Sequence, residues 1–276
     1  MSARLLVLVL ALPLAACLTG PARSVRGGSS SPSLLLDRAG GVEALAWEPS
    51  ERVLLLSTRE AGLQRWTPGG VPVACGEVGP TALTLGPAGL VGAERVHGRV
   101  ARFSAAGTRG AVLAASYAGA ALTGVRSLAM HPSGALVLVD GGGRVLHLGT
   151  NGRLTAVPPT GPARCAEFRG DTLLVAPLGE PRLLRLPLNA EGVLGGEALE
   201  DLVLTTPATA LEALPEGALL VGTESALQLW SASGVLLDSW RVPAPIVALA
   251  AAPAEGLAYV ATEEQVYRLL LLELAP

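Results

Sequence analysis

The chain has 276 residues, half of them hydrophobic, and contains 34 glycines and 21 prolines. This length and turn-rich composition favour a single domain that buries a large core. The formal charge is −3, every basic side chain is an arginine, and there is no basic tract. These features argue against nucleic-acid binding. They also exclude a phosphate-loop lysine and a Schiff-base mechanism, because both require lysine.

Residues 1–16 have the pattern of a secretory signal, with Arg4, an apolar run over Leu5–Leu12 and small residues before Cys17. The apolar run is too short to span a membrane. The sequence LAAC that ends at Cys17 resembles the lipobox of bacterial lipoproteins. The resemblance implies cleavage before Cys17 and lipid attachment to it, and Leu18 at the next position favours sorting to the outer membrane. The alternative is an ordinary secretory signal with an incidental cysteine.

Residues 17–33 are rich in Gly, Ser, Pro and Arg and show no periodicity, so we predict a flexible tether. The rest of the chain, residues 34–276, is the predicted folded domain. It contains six copies of one pattern, in which short apolar runs alternate with Gly, Pro and Asn turns. Such runs are typical of short β-strands joined by hairpins.

Two sequence positions, which we call the first and second anchors, recur in each repeat and were counted independently. The first recurs at separations of 38, 45, 38, 45 and 38 residues, and the second at 37, 45, 38, 44 and 39 residues. Repeats of about 40 residues with four strands each are typical of propeller blades. The sequence therefore predicts an all-β, six-bladed β-propeller of four-stranded antiparallel blades. The first anchors are Leu45, Leu83, Leu128, Ala166, Leu211 and Leu249.

The sixth repeat has no fourth strand after its third strand, Gln265–Leu272. The strand-like segment Leu34–Asp37 precedes the first repeat, and we expect this N-terminal strand to complete blade 6 and close the ring. The other fourth strands are predicted near Val71–Cys75, Ala111–Ser116, Arg153–Val157, Leu199–Leu204 and Val235–Trp240.

The residue two positions before the first anchor is polar in five of the six repeats. If the first strand of each blade is innermost, these side chains begin the strands that line the central channel, where propeller ligands bind. One carboxylate and two guanidiniums among them could bind an anion, or form a structural ion-pair network around a hydrated channel. The candidate ligand residues are Glu43, Thr81, Arg126, Arg164 and Thr209, with Val247 at the sixth position.

Blade 1 places Glu43 four residues before Trp47, and blade 3 has Asp140 after its second strand. These features resemble the SMP-30/gluconolactonase-like six-bladed propellers, and the repeats are also similar to NHL-like and WD40-like propellers. The resemblance implies a metal-binding role for Glu43, but Arg126 and Thr209 stand where the family has its other ligands. One carboxylate beside arginines cannot hold a cation. We therefore predict no metal and no cofactor.

Cys75 and Cys165 lie in blades 1 and 4, on opposite sides of the predicted ring, whereas a disulfide needs Cα atoms within about 7 Å. We expect free thiols. Trp66 and Trp230 share one repeat position and are expected to pack between blades. Trp240 lies on a fourth strand and is the tryptophan that we expect to be partly exposed.

None of the HExxH, GxSxG or CxxC motifs is present, and we assign no catalytic residue. The leading hypothesis is a monomeric, membrane-anchored propeller of the cell envelope that binds an envelope protein without catalysis, or serves as a scaffold subunit. The alternative is a divergent lactonase-like enzyme, or a small-anion binder. Either would use the end of the channel around Glu43, Arg126 and Arg164.

Overall fold

The computed structural model describes residues 31–271, except residues 38, 68–69, 77–78, 88, 105, 159 and 190–191. The predicted signal, Cys17 and most of the tether lie outside the described residues. Regular structure in the described part is almost entirely β, with two short 3-10 helices at Pro215–Gly217 and Pro253–Glu255. Neither of these helices, nor any other in the described part, has the length and apolarity needed to cross a membrane.

Six four-stranded antiparallel sheets, the blades, follow one another along the chain, which confirms the predicted fold class. An N-terminal strand, β1 (Ser33–Asp37), precedes them. Blade 1 contains β2 (Val42–Glu48), β3 (Val53–Thr58), β4 (Gly62–Trp66) and β5 (Val73–Gly76), and blade 2 contains β6 (Pro80–Gly86), β7 (Gly89–Glu94), β8 (Val100–Phe103) and β9 (Arg109–Ala114). After a small hairpin of β10 (Ser116–Tyr117) and β11 (Ala120–Ala121), blade 3 contains β12 (Ser127–Met130), β13 (Leu136–Val139), β14 (Val145–Leu148) and β15 (Leu154–Ala156), and blade 4 contains β16 (Ala163–Arg169), β17 (Thr172–Pro177), β18 (Arg182–Pro187) and β19 (Leu199–Val203). Blade 5 contains β20 (Ala210–Ala213), β21 (Leu219–Gly222), β22 (Ala226–Trp230) and β23 (Leu236–Arg241), and blade 6 contains β24 (Ile246–Ala252), β25 (Leu257–Thr262) and β26 (Gln265–Leu270).

Blade 3 shows why these segments form strands. The turn after β12 ends at Gly134, whose φ of 92° is favourable for glycine alone. The following strand, Leu136–Val139, pairs with β12 and β14 and is buried at every position. It carries only apolar β-formers because neighbouring blades cover both of its faces.

The first strand of each blade is innermost, and these strands neighbour one another in the order β2, β6, β12, β16, β20, β24 and back to β2. Each pair of adjacent blades encloses its own cluster of buried apolar side chains. Trp66 belongs to the cluster between blades 6 and 1, and Trp230 to the cluster between blades 4 and 5. Their predicted role in packing between blades is confirmed.

The N-terminal strand closes the ring as predicted. β1 pairs antiparallel with β26, placing Leu34 opposite Tyr267 and Leu36 opposite Val266, so that blade 6 acquires its fourth strand. The other five fourth strands begin and end within two residues of their predicted bounds. This pairing covers the sheet edge that β26 would otherwise expose.

The prediction for Trp240 was wrong. Its side chain is only 8% exposed and lies in the apolar cluster between blades 5 and 6. An outer strand has one face toward solvent and one toward the neighbouring blade, and Trp240 stands on the inward face, opposite Leu227. Strand position within the blade did not decide burial, because blade-to-blade packing covers the inward face.

Candidate functional site

The six innermost strands surround a cavity of about 390 Å³ on the axis of the ring. These strands all run in the same direction, from the face where Glu43 and Arg126 lie to the face where Pro49 and Pro253 lie. We call the first face the upper end of the channel and the second the lower end. The cavity extends between these ends and is the candidate site.

Small side chains keep the middle of the channel open. The position directly before the first anchor holds Ala, Ser or Cys in every blade, and these residues all line the cavity. Six strands converge on one axis, so a longer side chain at several of these positions would fill the space between them. The residues are Ala44, Ala82, Ser127, Cys165, Ala210 and Ala248.

Two glutamates face the cavity below this ring of small residues. Glu167 on β16 and Glu212 on β20 occupy the same repeat position, directly after the first anchor, in adjacent blades. Oε1 of Glu212 accepts a hydrogen bond from the backbone N–H of Ala251 at 3.0 Å. Oε1 of Glu167 accepts one from the N–H of Phe168, also at 3.0 Å. Within the described part of the chain, neither carboxylate forms an ion pair.

This environment favours the protonated form of the pair. Burial raises the pKa of Glu212 to about 7, against a smaller opposing effect of the Ala251 N–H. Burial, and next the negative charge of Glu212, raise the pKa of Glu167 well above its ordinary value. Two nearby carboxylates with no cation beside them cannot both ionise easily. Near neutral pH the pair therefore holds at least one proton, available as an acid beside the cavity.

This pair was not predicted, because the predicted channel residues lie two positions before each anchor and the glutamates lie directly after it. A signal was present in the repeats. At the position directly after the anchor, four blades carry small side chains, and two carry glutamate where the strand faces the axis. The small residues are Ala46, Thr84, Ala129 and Ala250.

At the upper end, arginines from the loops enclose Glu43. Its Oε1 lies 3.6 Å from Nε of Arg59, and its Oε2 accepts a hydrogen bond from Nη2 of Arg95. Arg59 also pairs with Glu263 at 3.2 Å, which links blades 1 and 6. The Glu43 side chain is only 12% exposed. Its charge is thus compensated by Arg59 and Arg95, neither of which was among the predicted site residues.

The structure brings only some of the predicted residues together. Glu43, Arg126 and Thr209 line the cavity, as does Val247. Arg126 is exposed, and its Nη2 donates a hydrogen bond to the carbonyl oxygen of Gly141. Arg126 therefore does not form the ion pair with Glu43 that the sequence suggested.

Thr81 and Arg164 do not line the cavity. The hydroxyl of Thr81 donates to the carbonyl oxygen of Val125 at 2.6 Å, which joins blades 2 and 3. Asp140 is also structural, because its carboxylate accepts hydrogen bonds from Arg144 and from the backbone of the turn after β13. The polar groups of Thr81 and Asp140 are thus occupied by contacts within the protein.

The upper end does not fit a divalent cation. Such an ion needs several oxygen ligands, usually with carboxylates among them. Both oxygens of Glu43 already face guanidinium groups, and Arg126 and Thr209 stand at the positions that the family resemblance gives to other ligands. A cation there would be repelled by Arg59, Arg95 and Arg126, so no step below is assigned to a metal.

Cys165 lines the cavity, but its chemistry does not suit a nucleophile. Burial raises the pKa of this thiol to about 12, so it stays protonated near neutral pH. The thiolate is the reactive form of cysteine. Cys75 and Cys165 are both free thiols.

Solved structures share this propeller fold. A candidate gluconolactonase, known from an X-ray structure, matches with a TM-score of 0.77 and 18% identity, over 88% of this chain and 92% of its own. A gluconolactonase from Xanthomonas campestris, described as important in glucose secondary metabolic pathways, matches with a TM-score of 0.75 and 16% identity, over 87% of this chain and 95% of its own. No model of a known protein family and no curated protein sequence matches the chain.

These likenesses confirm the resemblance to SMP-30/gluconolactonase-like propellers at the level of the fold. They also correct the leading hypothesis from the sequence. The two matching structures are described as gluconolactonases, which are enzymes, and not as scaffold or binding modules. The preference for a non-catalytic propeller was therefore wrong. The enzyme alternative was discounted because Arg126 and Thr209 stand where the family has its other metal ligands, and because none of the hydrolase motifs is present.

Proposed function

We propose that this chain is a hydrolase that opens small lactones or esters in its central channel. The observation that carries the proposal is the Glu167–Glu212 pair on the wall of the 390 Å³ cavity. Hydrolysis of a lactone needs a base to activate water and an acid to protonate the leaving oxygen. Two carboxyl groups with different protonation states can supply both. The likeness to gluconolactonases supports this choice of reaction class.

The environments of the two carboxyl groups assign their roles. Each carboxyl group accepts one backbone N–H, and the pKa of Glu212, which burial raises to about 7, suits a general base near neutral pH. Glu167 has its pKa raised by burial and by the charge of Glu212, so it keeps its proton and acts as the acid. Such a pair titrates as one unit.

The reaction then proceeds as an acid–base hydrolysis. Glu212 takes a proton from a water molecule, whose oxygen attacks the carbonyl carbon of the lactone. Glu167 donates its proton to the ring oxygen as the bond between that oxygen and the carbonyl carbon breaks. The product is a hydroxy acid, and transfer of the proton from Glu212 to Glu167 restores the starting state. Water is the only co-reactant.

The test is an assay of lactone and ester turnover, followed by acid release at constant pH. The wild-type protein should hydrolyse at least one member of a panel of small lactones. Glu212→Gln and Glu167→Gln keep the side-chain shape but cannot exchange the proton, so each should lower kcat by about 10²–10⁴-fold. Glu48→Gln is the matched control, because Glu48 ends the innermost strand β2 but does not line the cavity.

The pH dependence gives a second readout. A pair that must hold one proton predicts a bell-shaped profile of kcat/KM, and each single Gln variant should lose one limb of the bell. Circular dichroism and thermal unfolding would show that the variants are folded. A folded wild-type protein without activity on the panel, or full activity in Glu212→Gln, would contradict the proposal.

We also propose that the enzyme is anchored in the cell envelope through lipid on Cys17. The support is the LAAC sequence that ends at Cys17, after an apolar run of signal length. Several acyl chains would hold the protein stably, because a single chain gives marginal binding. Cys17→Ser should abolish incorporation of labelled palmitate and leave the precursor uncleaved. Label on the Cys17→Ser protein would refute the anchor.

A further inference from the structure

The arginine side chains at the upper end of the channel do not have equal partners. Arg59 contacts Glu43 and Glu263, and Arg95 contacts Glu43, so their charges are compensated within the network. Arg126 lines the cavity, which Arg59 and Arg95 do not, and has no carboxylate within ion-pair distance in the described part of the chain. Its hydrogen bond goes to a neutral carbonyl oxygen, that of Gly141.

A guanidinium has five N–H donors in a planar arrangement that matches a carboxylate or phosphate. The Gly141 carbonyl uses one nitrogen of Arg126 and leaves donors for a ligand. Arg126 is exposed at its end of the channel, so an anion can reach it. Because no carboxylate of the described residues pairs with Arg126, a bound anion need not displace one. Arg126 therefore contributes a positive charge that no carboxylate of the Arg59–Glu43–Arg95 network compensates, and such a charge attracts anions.

The distance along the channel between Arg126 and the Glu167–Glu212 pair sets the size of a molecule that could contact both. Arg126 has the same repeat position in blade 3 as Arg164 has in blade 4. Arg164 lies three residues before Glu167 on β16, so Arg126 and Glu167 are also three residues apart along the channel. Three residues of extended strand span about 10 Å. Arg126, Glu167 and Glu212 all line this one cavity, so the reach of their side chains shortens the gap that a substrate must bridge. A molecule the size of a sugar acid can place its anionic group at one end and its carbonyl carbon at the other.

Resting on the proposed hydrolase function, we infer that Arg126 binds an anionic group of the substrate. The substrate class is then small lactones or esters that carry a carboxylate in addition to the bond that is cleaved. Arg126 selects and orients such molecules by a charge-assisted hydrogen bond. The small uncharged side chains in the middle of the channel leave space for the rest of the molecule. A carboxylate bound at Arg126 presents the lactone carbonyl to Glu212 and Glu167 below it.

Binding can be tested without any turnover by calorimetry with D-glucuronate, an inert carboxylate, and with D-glucose, which has the same ring without the charge. The wild-type protein should bind glucuronate more tightly than glucose. Arg126→Leu should weaken glucuronate binding about 10–100-fold, which is about 1.4–2.8 kcal/mol and in the range of a charged hydrogen bond. Arg126→Lys, which keeps the charge, should restore part of the affinity.

Arg164→Leu is the matched control, because Arg164 has the equivalent repeat position in blade 4 but does not line the cavity. It should bind glucuronate like the wild type. Inorganic phosphate, measured in parallel, distinguishes a general anion site from one shaped for a carboxylate. Phosphate binding equal to that of glucuronate would overturn the carboxylate assignment.

Turnover gives the second comparison. For glucaro-1,4-lactone, which carries a free carboxylate, Arg126→Leu should lower kcat/KM about 10–100-fold, while kcat/KM for neutral gluconolactone should change little. Equal effects on both lactones, or glucuronate binding that is unchanged in a folded Arg126→Leu variant, would overturn the inference.

The binding and turnover results separate this inference from the proposed function. The Glu167→Gln/Glu212→Gln double variant should lose hydrolysis and keep glucuronate binding. If the wild type binds glucuronate through Arg126 but hydrolyses no lactone, the proposed function fails and the anion site stands. If hydrolysis occurs but glucuronate binding does not depend on Arg126, the anion site fails and the proposed function stands.

Discussion

Three glutamates on innermost strands show how neighbours decide the chemistry of one residue type. Glu43 faces Arg59 and Arg95, which neutralise its charge and hold its carboxylate in place. Glu167 and Glu212 have only backbone N–H donors as hydrogen-bond partners among the described residues. A carboxylate between guanidiniums is a structural ion pair, whereas carboxyl groups without cations keep a proton that a reaction can use.

The raised pKa values predict that stability depends on pH. Between the ordinary value of 4.5 and the folded value of about 7, Glu212 binds more protons in the folded than in the unfolded chain. The free energy of unfolding should therefore fall as pH rises through this range, by about 1.4 kcal/mol for each unit of pKa difference. Glu167 extends the fall to higher pH. Denaturant unfolding between pH 4 and 9 measures this slope.

The free energy of unfolding of the Glu167→Gln/Glu212→Gln variant should change less with pH over the same range, because this variant lacks both titrating groups. His147 acts in the opposite direction, since burial lowers its pKa, but its contribution cancels when variant and wild type are compared. Glu197→Gln, an exposed carboxylate outside the channel, serves as the control. The same slope in the double variant and the wild type would show that the pair is not protonated in the folded state.

At the scale of elements, the 45-residue separation between the anchors of blades 2 and 3 has a structural explanation. The extra residues form the hairpin β10–β11, which leads to Leu122, a side chain that is 1% exposed. The carbonyl of Leu122 packs against Gly98 in the turn between β7 and β8. Gly98 has a φ of 58°, which side chains rarely adopt. The insertion is thus docked on blade 2 through this glycine.

Gly98→Ala should be strongly destabilising. A Cβ at this position would lie 1.5 Å from the carbonyl oxygen of Leu122, so the backbone must move, in addition to about 1–2 kcal/mol for the left-handed conformation. Gly152→Ala is the matched control, because Gly152 has a φ of 76° but no atom within 4 Å of the added Cβ. Thermal unfolding should show a clearly larger loss of Tm for Gly98→Ala. Equal losses would mean that the contact with Leu122 is not tight.

At the scale of the whole molecule, β1 joins the first part of the chain to the last blade. The Nε2 of Gln265 donates to Oδ1 of Asp37 at 2.9 Å, and the hydroxyl of Ser33 donates to the carbonyl oxygen of Arg268 at 3.2 Å. The β1–β26 pairing also covers the outer edge of blade 6. Closure links the first and last strands of the described part and removes an unpaired strand edge.

Deletion of Ser33–Asp37 should therefore cause aggregation or loss of cooperative unfolding, because it leaves the backbone groups of β26 unpaired. Light scattering and calorimetry would measure both effects. Deletion of residues 19–28, in the predicted tether, should leave the transition unchanged. Two deletions with the same unfolding transition would contradict the role of β1 in closing the ring.

Much of the fold could be predicted because the six repeats show the same pattern of strands and turns six times. Two anchor positions that drift together over six repeats located the strands, and the missing fourth strand of blade 6 identified β1 as its replacement. The same counting selected Arg126, which lines the cavity, and Thr81 and Arg164, which do not. The partner of Glu43 could not be predicted, because Arg59 and Arg95 reach it from the β3–β4 and β7–β8 turns, whose direction the repeat pattern does not specify.

The sequence by itself determined the number of blades, the strand order within them and the closing strand, since alternation and turn residues act over short distances along the chain. Only the tertiary structure decided what chemistry the channel contains. Glu167 and Glu212 are 45 residues apart and become a pair only when two innermost strands meet at the axis. Their protonation depends on burial and on each other's charge, and both of those arise from packing in three dimensions.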